Sequence, residues 1–449
     1  MSRFFSVLWP VALFVWLGWL LRRERDPVRA AAWWLVAWFF PVGGVVGWWL
    51  LRDRHPASPS GPRRGSGRPP ENGSPVERLI ERGCGAPRRN ENRVTLLHNA
   101  SNAFSALIAT LQRARRSISV AYYIVCDDRI GRTVADILMR RARAGVRVRM
   151  IYDAFGSRRL GRPFIERLRR AGVEVRPYAP LRFPWFTARA LRRNHRKVVV
   201  VDGCRALLGG INLATYYLEG NRQGSWRDEH LLIEGSAAGD LERLFSADGR
   251  QAGGTPFSPQ RPSPAPCGRS PLQIAWAGRG SSRQTLTEAY TTLIVRARRT
   301  VRLASPYFIP PPELLRALRC AVGCGVRVQV MVPRQSDSPL LDLVAESYID
   351  DLLAAGVELY RYGRGFLHAK FMVVDDALAA VGTANMDYRS LNLNEEVVAF
   401  LYDRRPAAEL AAVFDGDLLG CETVTPENWH PRWWRRCLGE GMRLAAPLL

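Results

Sequence analysis

The chain begins with two long apolar runs. Residues 4–21 and 30–51 contain no charged side chain, which makes runs of 18 and 22 residues. A helix needs about 20 apolar residues to cross a bilayer, and the short connector between the runs is charged. Trp33, Trp34, Trp48 and Trp49 lie near the ends of the second run, where indole rings favour the headgroup region. The pattern predicts a two-helix transmembrane hairpin over residues 1–51.

Two polar stretches divide the remainder of the chain. Residues 52 to about 75 and residues 249–271 are rich in Pro, Gly, Ser and Arg, a composition typical of flexible linkers. We therefore predict a flexible linker over 52–90, a first lobe over 91–248, a second linker over 249–271, and a second lobe over 272–449.

The two lobes repeat the same pattern of elements. Runs rich in β-branched and aromatic residues alternate with helical stretches, and Ala-Gly-Val-Glu occurs at 171–174 and again at 355–358. Alternating strands and helices indicate α/β units with a largely buried sheet. We expect two α/β lobes related by a pseudo-twofold axis, with one active site at their seam. A tandem duplication with two independent sites is the alternative.

One constellation of polar residues recurs in both lobes with a constant separation of 173 residues. It comprises His195, Lys197, Asp202 and Asn212 in the first lobe, and His368, Lys370, Asp375 and Asn385 in the second. An apolar run between Lys and Asp predicts a strand, on which the side chains at i and i+2 share a face. Two such His-Lys pairs suit phosphodiester exchange, with one imidazole attacking phosphorus, the other handling the leaving-group proton, and the ammonium groups offsetting phosphate charge.

Lysine usage supports the same interpretation. The chain has 65 basic residues, and its only lysines are Lys197 and Lys370. A chain that otherwise uses arginine keeps lysine at the two positions where a compact ammonium differs from a planar guanidinium. Ordinary strand residues near a surface would not show this placement.

The net charge of +24 favours an anionic partner, either a nucleic acid or a lipid surface. The eight cysteines have no zinc-type spacing, so we expect no metal and no cofactor. Of the two anionic partners, the apolar runs favour the lipid surface.

A cleaved signal peptide is the alternative for the first apolar run, but this run lacks a strong basic n-region and a small-residue cleavage site. A modest excess of flanking arginines predicts that both chain ends and the catalytic lobes are cytoplasmic at the cell membrane.

Two copies of H-x-K-x4-D, each followed by a Gly-containing turn and Asn, resemble the signature of the phospholipase D superfamily. Tyr152-Asp-Ala-Phe-Gly-Ser157, Trp226-Arg-Asp228-Glu-His230 and Gly382-Thr-Ala-Asn-Met-Asp-Tyr-Arg-Ser390 make the chain similar to bacterial cardiolipin synthases. That resemblance implies a membrane enzyme that makes cardiolipin and glycerol from two phosphatidylglycerol molecules through a phosphohistidine intermediate. A phospholipase D releasing phosphatidic acid, a nuclease-like phosphodiesterase and a non-catalytic membrane scaffold are the other hypotheses. Oligomeric state is not predicted.

The resemblance also suggests roles for individual residues. His195 is expected to be the nucleophile and His368 the acid and base, with Asp228 and Glu396 orienting the imidazoles. Asp202 and Asp375 are placed with the catalytic set, although they could instead hold the strand and turn. Asn212, Asn385, Asp228 and Glu396 are the expected substrate-binding residues.

Some positions depart from the family pattern or from the repeat. Asp376 stands where the first lobe has Gly203, which predicts a differently shaped turn. Asn394 and its neighbours put a carboxylate where relatives carry an aromatic residue. The insertion at residues 181–193 and the segment at residues 429–436 mix aromatics with arginine, which suits either a headgroup boundary or a packed loop.

Overall fold

The computed structural model describes residues 2–23, 27–40, 44–45, 47–48, 73–180, 192–222, 224–253, 267–278, 281–282 and 284–443. The chain forms two compact units, one of Met1–Pro56 with Leu181–Arg192 and the other of Ala57–Pro180 with Arg193–Leu449. Most of the first linker, the centre of the second, and residues 181–191 of the insertion lie outside the described residues.

The N-terminal unit contains helices α1 (Ser2–Arg23) and α2 (Pro27–Phe39). Helix α1 covers the first apolar run, and α2 covers the beginning of the second. In the part of the chain that the structure describes, no helix combines the length and apolar character needed for a membrane crossing. The transmembrane hairpin remains a prediction from the sequence.

Within the described residues, the second unit contains the strands and the helices that follow. The strands are β1 (Arg89–Leu97), β2 (Ser117–Tyr122), β3 (Arg147–Asp153), β4 (Glu174–Tyr178), β5 (Val198–Val201), β6 (Arg205–Gly209), β7 (Trp226–Arg227), β8 (His230–Gly235), β9 (Ser270–Ala277), β10 (Thr300–Ala304), β11 (Phe308–Ile309), β12 (Arg327–Pro333), β13 (Glu358–Tyr362), β14 (Phe366–Leu367), β15 (Phe371–Val374), β16 (Leu378–Gly382), β17 (Met386–Asp387), β18 (Glu396–Leu401) and β19 (Cys421–Val424). The helices are α3 (Pro75–Cys84), α4 (Ala100–Gln112), α5 (Arg129–Arg143), α6 (Arg162–Arg170), α7 (Tyr216–Glu219), α8 (Ser236–Gln251), α9 (Thr285–Val295), α10 (Pro312–Gly323), α11 (Pro339–Glu346), α12 (Ile349–Ala354), α13 (Tyr388–Asn392), α14 (Arg404–Leu418) and α15 (Trp433–Arg443).

A single mixed sheet of 15 strands runs through both halves in the order β19-β13-β12-β10-β15-β16-β18-β9-β1-β8-β6-β5-β2-β3-β4. Read outward from the antiparallel β1–β9 pair, both halves have the same succession of equivalent strands, and β19 is added at one edge. The expected α/β repeat with pseudo-twofold symmetry is present. The two halves are joined edge to edge through the sheet.

Helix α3 corrects the expected extent of the first linker. Ser74 caps its N-terminus by accepting a hydrogen bond from the backbone N–H of Glu77, and Pro75 occupies the first turn, where no N–H is needed. Val76, Ile80 and Cys84 are buried by this helix. The predicted linker of residues 52–90 therefore includes a packed helix from Pro75 onward and the start of β1.

The central strands of each half are buried along their length. All four valines of β5 and all four residues of β15 are buried, which matches the continuous apolar runs read from the sequence. Amphipathic helices supply the packing layers; α5, for example, buries Ile130, Val134 and Leu138. This rigid frame fixes the polar segment that precedes β5 and the equivalent one before β15.

Candidate active site

Each histidine is held by backbone contacts with the opposite half of the molecule. The His195 backbone N–H donates to the carbonyl of Glu395 at 3.0 Å, next to a parallel bridge between Asn194 and Glu395. In the same way, the His368 N–H donates to the carbonyl of Arg227 at 2.7 Å, where β14 pairs with β7. The two histidine segments are thereby exchanged across the seam, so each half helps to position the other half's imidazole.

The carboxylates that contact the imidazoles are exchanged too. His195 Nδ1 lies 2.9 Å from Glu396 Oε1, and His368 Nδ1 lies 2.6 Å from Asp228 Oδ2. Both carboxylates are almost fully buried. Engaging Nδ1 in this way leaves Nε2 of each ring for chemistry. An imidazole-orienting role for Asp228 and Glu396 is what the family resemblance implies, but the sequence does not indicate that each carboxylate contacts the histidine of the other half.

The surroundings of these two carboxylates explain the residues after each motif. A Cβ at Gly210 would collide with the Asp228 carboxylate, so glycine leaves the space this side chain needs. At the equivalent position of the second half, the Thr383 hydroxyl donates a hydrogen bond to Glu396. Both arrangements fix a carboxylate beside an imidazole by different means.

The two lysines are buried beside their histidines. Lys197 Nζ donates to the carbonyl of His195 at 2.7 Å, and Lys370 Nζ lies 2.9 Å from His368 Nδ1. Burial lowers the pKa of Lys197 to about 7 and that of Lys370 to about 8. Glu396 and Asp228 oppose that shift for both lysines, while Lys370 adds to it for Lys197. A bound anion would therefore favour the charged form of both lysines and raise their pKa values.

The two His-Lys pairs lie close enough to influence each other's pKa values. Burial lowers the pKa of His195, against the opposing effect of Glu396, and Lys197 and Lys370 lower it further. The pKa of His368 is well below its ordinary value because of burial, Lys370, Lys197 and His195. Each histidine thus responds to the lysine of the opposite half. Both imidazoles are neutral near pH 7 in the free protein, the form required of a nucleophile.

The environments of the two histidines differ. His195 makes an edge contact with Tyr123, with ring centroids 4.9 Å apart. His368 lies against Tyr217, Trp226 and Phe366 at centroid distances of 5.5, 5.1 and 5.6 Å. The two carboxylates also differ in pKa. Burial raises the pKa of Asp228 to about 6. Burial acts the same way on Glu396, but His195 and Lys197 outweigh it and hold its pKa below the ordinary value.

Asp202 and Asp375 have a structural task, which corrects their placement with the catalytic residues. The Asp202 carboxylate accepts hydrogen bonds from the backbone N–H groups of Arg115, Arg116 and Ser117. The Asp375 carboxylate does the same for residues 298–300. Both lie at the far ends of β5 and β15, roughly 16 Å along the chain from the lysines at about 3.3 Å per residue. They tie the strand end to the neighbouring strand.

We expect Asp202→Ala to lower the free energy of unfolding by about 2–4 kcal/mol, because three backbone N–H groups lose a charged acceptor. Turnover per folded molecule should stay within about twofold of wild type, since the carboxylate is remote from the imidazoles. Denaturant unfolding and active-site-normalised rates measure both. Asp376→Asn, which removes the charge of a partly exposed carboxylate beside Arg302 and keeps a side chain that tolerates the positive φ of 54°, is the control and should cost less than about 1 kcal/mol. Loss of turnover in folded Asp202→Ala protein would return Asp202 to the catalytic set.

The two turns after the motif strands have the same backbone shape, contrary to the sequence expectation. Gly203 has φ 69° and Asp376 has φ 54°, and each follows an aspartate with φ 54°. Aspartate is one of the few side chains that tolerates the left-handed region. Asp376 also forms an ion pair with Arg302 at 2.6 Å.

The two asparagines differ in how they are engaged. Asn212 Oδ1 accepts from the Ile124 N–H at 3.0 Å, and its Nδ2 donates to the Tyr217 hydroxyl at 2.6 Å. Asn385 Nδ2 donates to Asp387 Oδ2 at 3.0 Å, and its buried Oδ1 has no hydrogen-bond partner among the described residues. Asn212 is thus occupied in holding the chain, whereas Asn385 has a polar atom free for a ligand.

A buried charge cluster that was not predicted from the sequence lies behind His195. Arg196, between the histidine and the lysine, donates to Glu395 at 3.2 Å and to the carbonyl of Ala277 at 2.9 Å, and it also pairs with Asp248. The alternation of side chains along an extended segment was the available signal, because it directs Arg196 away from His195 and Lys197. Ala369 stands at the equivalent position of the second half. Glu395, which looked like a departure from the pattern, is therefore a partner of Arg196.

A family model of known proteins matches both halves of the chain. The family model described as "Cardiolipin synthase, PLD-like domain" matches residues 107–245 and 290–418. A cardiolipin synthase of Geobacillus kaustophilus is 36% identical, over 95% of this chain and 90% of its own length. One from Halalkalibacterium halodurans is 33% identical, over 99% and 94%. The major cardiolipin synthase of Bacillus subtilis is 37% identical, over 80% and 76%.

A solved structure supports the fold. The crystal structure of a phosphatidylserine synthase from Haemophilus influenzae has a TM-score of 0.61 and 14% identity, and the match covers 84% of this chain and 100% of that one. At this level of identity the likeness concerns the fold alone. The family model and the relatives, which are matched over most of their own length, show that the chain belongs to the cardiolipin synthase family of phospholipase D-like proteins.

Proposed function

We propose that the protein is a phosphatidyltransferase that makes cardiolipin and glycerol from two phosphatidylglycerol molecules through a phosphohistidine intermediate. The observation that carries this proposal is the exchanged pair of buried His-carboxylate contacts, with a buried lysine beside each histidine. Two imidazoles with Nδ1 engaged and two cations around one volume provide a nucleophile, an acid-base group and charge compensation for a phosphodiester.

In the first step, His195 Nε2 attacks phosphorus while the bond from phosphorus to the glycerol oxygen breaks, and His368 gives that oxygen a proton. In the second step, His368 takes the proton from a hydroxyl of the second phosphatidylglycerol. The new alkoxide oxygen attacks phosphorus and the phosphorus–nitrogen bond breaks. Atoms and protons balance, and neither step needs a cofactor.

His368 must carry a proton when the first step begins, although its pKa is depressed in the free protein. Besides burial, the causes of that depression are Lys370, Lys197 and His195. A bound phosphodiester brings a negative charge that offsets the two lysines, so substrate binding favours proton uptake by His368. His195 suits the nucleophilic role because the pKa of its partner Glu396 is held low, which keeps an ionised carboxylate on its Nδ1.

The products give the direct test of the proposed reaction. Purified full-length protein offered phosphatidylglycerol in mixed micelles should release cardiolipin and glycerol in equal amounts. Formation of phosphatidic acid without cardiolipin would instead identify a hydrolase, because water and an alcohol can resolve the same intermediate. Hydrolysis of single-stranded DNA at a comparable rate would point to a nuclease-like phosphodiesterase.

We expect kcat/KM to fall as pH rises through about 7 to 8, well below the ordinary lysine pKa of 10.5. A lysine is charged below its pKa, and the depressed values mean that the cations needed for phosphate are lost in this range. Rates on phosphatidylglycerol at sub-saturating concentration measure the profile. In Lys370→Arg the charge persists at high pH, so its contribution to the decline should disappear, although the maximum will be lower because guanidinium has a different shape. A wild-type profile flat to pH 10 would contradict the assignment.

We also propose the remaining details from the sequence: a two-helix membrane anchor over residues 1–51, lobes at residues 91–248 and 272–449, substrate contacts from Asp228, Glu396 and Asn385, and a cytoplasmic active site on anionic lipid. The apolar runs and the lipid nature of the proposed substrate support this arrangement. Full-length protein should remain in the membrane pellet after an alkaline carbonate wash. The exposed Cys320 should react with an impermeant maleimide only after cells are opened.

A further inference from the structure

Helix α15, near the end of the chain, turns apolar side chains outward. Trp433, Trp434 and Leu438 are 77, 39 and 53% exposed, and Cys437 is exposed as well. At 3.6 residues per turn these four positions lie within an arc of roughly 140°. They are called here the apolar face of α15.

The opposite side of α15, which packs on the protein, is held by charged residues, a glycine and Met442, whose side chain packs against the buried cluster of Ile309, Val344 and Tyr348. Arg435 pairs with Glu346 of α11 at 2.9 Å, and Arg443 pairs with Asp351 of α12 at 2.6 Å. Gly439 is buried, and a Cβ there would come within 2.8 Å of the Leu343 carbonyl, so the helix sits close to α11. A helix that packs on a globular protein usually turns its apolar side inward. On α15 most of the large apolar side chains point outward instead, which indicates that its apolar face meets an apolar partner.

Charge and composition identify that partner as a lipid bilayer. Arg432 and Arg436 are exposed beside the two tryptophans, with Arg436 also paired to Asp350 at 2.8 Å, and the chain carries a net charge of +24. Indole rings and arginines next to an apolar stripe are the composition of helices that lie in the headgroup region of anionic membranes. A protein partner would need an acidic surface placed to pair with these arginines, whereas an anionic bilayer offers negative charge without a defined placement.

Helix α11 links α15 to the active site. Asp337, two residues before α11 begins, accepts a hydrogen bond from Tyr307 and lies close enough to Lys370 to raise its pKa. Helix α11 is eight residues long, about 12 Å at 1.5 Å per residue, and its last residue Glu346 holds α15. One end of α11 is therefore near the catalytic lysine, and the other carries the outward apolar face.

We propose that the apolar face of α15 inserts into the headgroup region of an anionic bilayer and holds the entrance of the active site against the lipid surface. The benefit to catalysis rests on the proposed phosphatidyltransferase function. Insertion itself does not, so the two can fail separately.

Exposed cysteines provide a matched pair of probe positions. Cys320→Ser with Cys324→Ser keeps Cys437 on the apolar face of α15, and Cys324→Ser with Cys437→Ser keeps Cys320 on α10. Each full-length protein is labelled with bimane and reconstituted in phosphatidylglycerol–phosphatidylcholine vesicles that contain nitroxide-labelled lipid. The triple variant lacking all three cysteines gives the background from less exposed thiols. We expect quenching at Cys437 to exceed that at Cys320 by about twofold or more, because only the former enters the headgroup region.

Equal quenching at the two positions, or none at Cys437, overturns the inference. Quenching at Cys437 in a protein that makes no cardiolipin would support insertion and contradict the proposed function, which keeps the two results distinct.

Activity provides a second readout. Trp433→Ala combined with Leu438→Ala should lower turnover on vesicles about fivefold and leave turnover on dispersed short-chain phosphatidylglycerol within about twofold, since only a bilayer uses the apolar face. Leu419→Ala removes an 81% exposed leucine outside α15 and is the control for loss of exposed apolar surface. Equal losses on both substrates would assign a purely structural role to the face.

Discussion

Phosphatidyl-p-nitrophenol should give a burst of nitrophenolate with His368→Asn protein and no burst with His195→Asn protein. Nitrophenolate leaves without a proton, so forming the intermediate requires the nucleophile but not the acid. His368→Asn should then stall, because no base remains to deprotonate the acceptor alcohol. With phosphatidylglycerol as substrate, either change should lower kcat/KM by at least about 10⁴-fold. Rapid-quench measurement of nitrophenolate against enzyme concentration gives the burst amplitude.

The two variants control for each other, because both replace a buried imidazole by the same amide. A burst with His195→Asn and none with His368→Asn would reverse the roles of the histidines. No burst with either variant or with the wild type would contradict the covalent intermediate.

The second large effect concerns the exchanged carboxylates. In the His368→Asn background, Glu396→Gln should slow the nitrophenolate burst by roughly two to three orders of magnitude, because His195 loses the carboxylate on its Nδ1. Asp228→Asn in the same background should leave the burst rate within about twofold, since its partner His368 is already absent. The burst rate constant from stopped-flow absorbance is the measurement.

Glu409→Gln, which makes the same chemical change at a half-exposed glutamate of α14, is the control and should have no effect. A strong effect of Asp228→Asn together with none of Glu396→Gln would mean that each carboxylate serves the histidine of its own half.

The repeat and the paired motif could be predicted because they are local and periodic. His195 and Lys197 share a face two residues apart, and the constant separation of the two copies needs only counting. The identity of the partner across the seam could not be predicted in this way. Glu396 reaches His195 over 201 residues of chain, and this contact depends on how the two halves meet. Nothing in the local pattern around either residue specifies that pairing.

Asp202 is a motif residue whose contacts differ from those that its position in the motif suggests. A conspicuous acidic residue at a fixed distance from a histidine suggests catalysis, yet its carboxylate accepts hydrogen bonds from three backbone N–H groups at the start of β2. Backbone donors carry no signature in the sequence, so such a role becomes visible only in three dimensions. Arg196 was overlooked for a related reason, since its partners Asp248 and Glu395 are distant along the chain.

The exchange of histidine segments across the β1–β9 seam has a consequence for assembly of the enzyme. A half produced alone would hold an imidazole without its carboxylate and a carboxylate without its imidazole. Two copies of one half meeting about a twofold axis would complete both pairs. The single chain can thus be understood as a fused dimer of one ancestral unit, whose two copies were then free to become unequal, one ring surrounded by aromatics and the other left nearer to water.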